Sequence, residues 1–135
     1  MKGKLLQKIT DKVVLLDSFI RFAAIVDGEG KILATSERTG LKPLLNLEER
    51  AQYAITAATR QYTRLRWEYL LGKIVYACSR YKKLIRATIP ITNENSTLTY
   101  VLLLSFDADT KNAHKIILEK IIPLLEKNKH LLSKK

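Results

Sequence analysis

The sequence predicts an α+β fold in the order α-ββ-α-βββ-α. A five-stranded, mainly antiparallel sheet should carry helices on both faces. Three observations lead there. Apolar residues recur at helical spacing in three separate segments. Short apolar runs bounded by Gly, Asp, Asn and Pro lie between them. One run, "YVLLLSF" (Tyr100 to Phe106), is apolar on both parities, which demands a central strand covered on both sides. With 135 residues, the chain suits one domain spanning 1–135.

The first helix rests on Leu5, Leu6, Ile9, Val13, Leu16 and Ile20, with Lys4, Lys8, Asp11 and Lys12 between them. Phe22 to Val26 then reads as a strand, Asp27-Gly28-Glu29-Gly30 as a turn and Lys31 to Ser36 as its partner. Asp-Gly adopts positive φ readily, so a tight antiparallel hairpin is expected. "RTGLKPLLN" is a loop. Asn46 and Glu49 stand at capping-box spacing and open a second helix, whose buried stripe is predicted as Leu47, Ala51, Ala54, Ile55, Ala58, Tyr62 and Leu65. Ile74–Tyr81, Leu84–Ile91 and Leu98–Phe106 are the remaining strands, with turns at Tyr81-Lys82-Lys83 and "TNENS". Asp109 or Thr110 should cap the last helix, which turns Ala113, Ile117, Ile121, Leu124 and Leu125 inward, and Pro123 should kink or interrupt it. A basic, frayed tail is expected from about residue 128.

"AAIVDGEGKILATSE" (Ala23 to Glu37) resembles the opening hairpin of the roadblock/dynein-light-chain family, kin to profilin-like and longin-like domains. The element order resembles that family along nearly the whole chain. "IRFAAIVDGEGKILA", "RTGLKPLLNLEE" and "LGKIVYA" are also similar to a group of small archaeal proteins of unknown function. The roadblock resemblance implies a non-enzymatic module that dimerises through sheet-edge and helix surfaces. Family members act as adaptors or as regulators of small GTPases. The resemblance carries no site residue over to this chain.

The residues offer little for catalysis. "GEGK" at Gly28 has the wrong glycine spacing for a phosphate-binding P-loop, and "LGKI" at Leu71 lacks the first glycine. One cysteine, Cys78, and two histidines, His114 and His130, fall short of a zinc set. Cys78 reads as an inert strand residue, and a Cys–His nucleophile has no local support. Glu48-Glu49 is explained by the helix start, and Asp107 and Asp109 border the last helix. No cofactor is implied. Lys8, Asp11 and Lys12 interrupt any secretion-signal core, and no run reaches the ~20 apolar residues of a membrane span, so a cytoplasmic location is expected. In that setting the sequon Asn95-Ser96-Thr97 is turn chemistry.

Charge is the unusual feature. The net charge is +11, and Arg50 to Arg86 holds nine cations against one acid, Glu68. The same window carries Tyr53, Tyr62, Trp67, Tyr69, Tyr76 and Tyr81, six of the ten aromatic residues, although Tyr62 and Tyr76 read as core. Arg60, Arg64, Arg66, Lys73, Arg80, Lys82, Lys83 and Arg86 form the candidate basic interaction surface. Strand alternation places Ile85, Ala87, Ile89 and Ile91 on one face and Lys82, Leu84, Arg86 and Thr88 on the other. Arg86 should therefore lie under thin cover or meet a carboxylate. Four readings of the charge stay open: a solvated face or guarded sheet edge, an acidic protein partner, a nucleic acid, or an anionic membrane surface. Function follows the same division. A roadblock-type dimeric module leads. A nucleic-acid-binding protein using 50–86 and a small-molecule sensor are the alternatives.

Overall fold

The computed structural model describes residues 2–93 and 98–133. Helix α1 (Lys2–Leu15) leads into the hairpin β1 (Ile20–Asp27) and β2 (Ile32–Glu37). Helix α2 (Leu47–Leu65) and the short α3 (Glu68–Leu71) precede β3 (Ala77–Arg80), β4 (Leu84–Thr92) and β5 (Leu98–Asp107). Then come α4 (Ala113–Ile116), a π-helical turn (Ile117–Ile121), α5 (Ile122–Lys127) and α6 (Lys129–Ser133). The sheet order is β2-β1-β5-β4-β3, antiparallel throughout. The α+β class and the five-stranded sheet are as predicted. The sequon Asn95-Ser96-Thr97 lies outside the described residues.

The central strand β5 explains its own composition. Tyr100, Leu102, Leu104 and Phe106 face a core built with Leu6, Ile9 and Val13 of α1 and with Ile117, Ile121, Leu125 and Leu132. Val101 and Leu103 face the other way, toward Ala54 and Ala57 of α2. Helices thus cover both faces of the sheet.

Helix α1 ends sooner than its spacing suggests. Leu15 is exposed, and Ile20 belongs to β1 rather than to the helix. The Asp17 carboxylate accepts from the Phe19 N–H at 3.0 Å, a local bond that turns the chain out of the helix.

Helix α2 opens as predicted. Asn46 accepts from the Glu49 N–H, and the Glu49 side chain accepts from the Asn46 N–H. Its buried stripe needs correction: it is Ala54, Ala57, Ala58 and Gln61, whereas Leu47, Ala51, Ile55 and Tyr62 are exposed. Small side chains let the helix lie close to the sheet, and the larger ones sit along its flank.

Gln61 is fully buried, yet among the described residues neither its amide oxygen nor its nitrogen finds a hydrogen-bond partner. An orphaned buried amide costs about 1–3 kcal/mol. Gln61→Met keeps the length and removes the polar atoms. It is expected to raise the unfolding free energy by about 1 kcal/mol in urea denaturation. A loss of stability would mean that the amide is in fact satisfied.

The β1–β2 turn is shaped by Asp27, whose carboxylate accepts from the N–H groups of Glu29 and Lys31, both at 2.9 Å. The position with positive φ is Gly30 (φ 91°), not Gly28. Gly30 lies directly beneath α2: a Cβ there would stand 2.6 Å from the Ile55 Cα.

Strand β3 is shorter than the predicted Ile74–Tyr81. It pairs with β4 only from Ala77↔Thr88 to Arg80↔Ile85. The next inward-facing backbone position on β4 is Pro90, which has no N–H to donate, so the ladder stops.

The last helix starts at Ala113 with Asn112 at its N-cap position and no side-chain cap. Neither Asp109 nor Thr110 serves. The Thr110 hydroxyl instead donates to the Asp107 carbonyl at 2.7 Å. The π-helical turn comes just before Pro123, and the Ile122 N–H donates to the Ile117 carbonyl. Widening the helix there relieves the clash and the missing donor that Pro123 brings. It also re-phases a stripe: Ala113, Ile117, Ile121 and Leu125 are all buried, and four-residue steps drift by about 40° each in a regular α-helix. The expected frayed tail also needs revision. Lys129–Ser133 is helical, and Leu132 is buried in the core.

Candidate interaction surface

The two edges of the sheet are treated differently. On β2, Gln7 of α1 donates to the Thr35 carbonyl at 2.7 Å, and Ser36 bonds to Asp11 and Thr10. Helix α1 therefore guards that edge. On β3 the Tyr81 N–H donates to the Leu84 carbonyl at 2.8 Å, which fixes the alternation. Cys78 and Arg80 then turn their N–H groups outward, away from β4.

Around this edge the eight candidate cations divide. Arg60, Arg64 and Arg86 come together in a cleft between α2 and the β3–β4 hairpin, with Tyr53, Ser79 and Thr88. Arg80 points to the opposite face and donates to the carbonyls of Ala108 (2.9 Å) and Thr110 (3.1 Å). Lys82 and Lys83 are exposed at the hairpin tip, Arg66 is exposed after α2, and Lys73 is exposed in the stretch leading to β3. No single basic track joins all eight.

Among the described residues Arg86 meets no carboxylate, and clefts border it on two sides. Its guanidinium stacks 3.8 Å above the Tyr53 ring, a cation–π contact that holds one face of the group and leaves its edge free. Arg64 reaches the Thr88 hydroxyl at 3.3 Å. Arg50 is engaged elsewhere, paired with Glu37 and lying over Phe22. Sequence reasoning did not find Tyr53 as the seat of Arg86, because only folding brings α2 over β4.

A second polar cluster lies at the end of β5, opposite Leu84 of β4. Asp107, the last residue of β5, accepts two bonds from Arg38 (2.7 and 2.9 Å) and one from Arg21 (3.1 Å). The Arg38 bonds, helped by Arg21, hold its carboxyl below the usual carboxylate range against the opposing effect of burial. Arg38 also donates to the Ser18 carbonyl at 2.8 Å.

Other groups are placed as structural residues. Cys78 is half-buried, and burial pushes its thiol up while nearby Arg80 pulls the other way. Tyr76 bonds to His114 Nδ1. Tyr62 is half-exposed over Gly28. Among the described residues, no three His, Cys, Asp or Glu side chains gather as a metal site requires, and no helix is long and apolar enough to cross a membrane. A cavity of about 40 Å³ under the Leu41–Leu45 loop admits a few waters, and a wider, open hollow of about 590 Å³ lies beside Asp17, Phe19 and Lys120.

Known structures share this fold. A roadblock/LC7 domain from Streptomyces avermitilis superposes with a TM-score of 0.72 at 8% identity, over 96% of this chain and 98% of that one. MglB from Myxococcus xanthus gives 0.70 at 17% identity, over 98% and 93%. The gliding protein MglB from Thermus thermophilus gives 0.70 at 13%, over 98% and 88%. The chain has the roadblock fold. No family model matches the sequence, and no curated protein does, so the likeness is one of structure. Within the roadblock fold, the open β3 edge and the cation cleft lie side by side along α2.

Proposed function

We propose that the chain is a non-enzymatic, roadblock-type interaction module of the cytoplasm. It forms a homodimer and regulates a small GTPase or holds an acidic protein partner. The observation that carries this reading is the asymmetry of the sheet edges. β2 is capped by Gln7, while β3 presents outward N–H groups beside a helix that can pack against its counterpart. The roadblock fold supports it, since the family supplies dimeric adaptors and regulators. Likeness to small archaeal proteins bears on lineage and not on chemistry. Arg80 faces away from Arg60, Arg64 and Arg86, which favours a protein partner over a nucleic-acid track.

Sedimentation velocity across a range of concentrations tests the dimer. The unaltered chain is expected to sediment as a dimer. Arg80→Ala, which keeps the outward N–H, should leave it so, and Arg80→Pro, which removes it, should weaken the dimer. A monomer at every concentration for the unaltered chain sinks the reading.

A further inference from the structure

We propose that the cleft between α2 and the β3–β4 hairpin binds a phosphate dianion, free or as the monoester of a small molecule. Three arginines line the cleft, Arg60 and Arg64 one turn apart on α2 and Arg86 on β4. The hydroxyls of Ser79 and Thr88 line the same cleft, and no carboxylate does. The ion pairs found among the described residues use Arg21, Arg38, Arg50, Lys115 and Lys120, none of the three.

Like charges on an open surface swing apart. Here Arg86 is half-buried and held over the Tyr53 ring, and Arg64 is tied to Thr88. Arg64 and Arg86 are thus held at the cleft, and among the described residues no carboxylate pairs with them. Stacking fixes the plane of Arg86 and leaves its in-plane N–H donors for a ligand. The donor set selects the anion. A carboxylate brings one negative charge and two oxygens. A phosphate dianion brings two charges and three peripheral oxygens, a closer match to three guanidinium forks and two hydroxyls. The enclosed part of the cleft, about 10 Å³, holds about one water. The anion therefore sits across the mouth, and an ester substituent can stay outside. Every donor belongs to one protomer, although the cleft borders the β3 edge and the α2 surface assigned above to the dimer.

Isothermal titration with inorganic phosphate and with adenosine 5′-monophosphate, at fixed ionic strength in chloride and above the second ionisation of phosphate, tests the site. Saturable binding is expected. It should weaken about tenfold in Arg86→Gln and in Arg64→Gln, the loss of one charge-assisted contact. The hairpin-tip variant Lys82→Gln/Lys83→Gln should bind unchanged. Tighter binding of the nucleotide assigns a monoester ligand, and equal affinity assigns free phosphate. Heat that does not saturate, or affinity retained in a folded Arg64→Gln and a folded Arg86→Gln, overturns the proposal. Circular dichroism establishes folding, and Arg64 on the helix flank serves if Arg86→Gln is unstable.

Discussion

Replacing Gly30 with alanine is expected to lower the unfolding free energy by about 3 kcal/mol. A non-glycine residue at φ 91° costs about 1–2 kcal/mol. The added Cβ also meets backbone, 2.6 Å from the Ile55 Cα, and forcing atoms into such a contact costs about 1–3 kcal/mol more. Helix α2 cannot withdraw without opening the Ala54–Ala57 seam against the sheet. Gly28→Ala is the control. Its Cβ would meet only the Tyr62 hydroxyl at 2.5 Å, the tip of a half-exposed side chain that can swing away. Urea denaturation should separate the two variants clearly. Equal, small losses below about 1 kcal/mol would show that the turn and α2 are not in contact.

Asp107→Asn should cost about 2 kcal/mol at neutral pH, a value lowered from that of a fully buried pair because these side chains are partly solvated. The change leaves Arg21 and Arg38 side by side without their counterion. It also loosens the joint where β1, the end of β2 and the end of β5 meet. The pH dependence has a definite sign. The carboxyl of Asp107 is held below its ordinary value in the folded chain. Its contribution is therefore fully present above the unfolded pKa of about 3.9, and it is lost as pH falls through the lower folded value. The gap between the parent and Asp107→Asn should hold from neutral pH to about pH 5 and close in stronger acid. A gap that stays constant into strong acid would show that the charge is not what Arg21 and Arg38 require.

Much of the fold was legible because local and global signals agree. The apolar run of β5 could only be a strand covered twice, and Asn46 with Glu49 fixed the start of α2. The errors have physical causes. The stripe expected on α2 mixed two neighbouring faces, so that Ala54 and Ala58 were right and Ile55 and Tyr62 were not. The sheet lies too close for bulk, so Ala54, Ala57 and Ala58 face it while Ile55 and Tyr62 lean over the β1–β2 turn. The length of β3 was set by Pro90 on its neighbour, a constraint visible only once the two strands are in register. The sequence singles out the basic residues but not how they group. Alternation along β4 gave the side on which Arg86 points, and nothing local could say that Tyr53 would be waiting there.

Pro90 also limits what any added strand can achieve. A chain joining the sheet at β3 meets four residues of ladder, with outward N–H groups at Cys78 and Arg80. Backbone pairing on so short a stretch supplies little strength and little selectivity. Both must come from side chains standing beside it, on α2 and the hairpin tip. An edge truncated in this way favours attachments that form and separate readily. It also resists the open-ended strand stacking that a long bare edge invites.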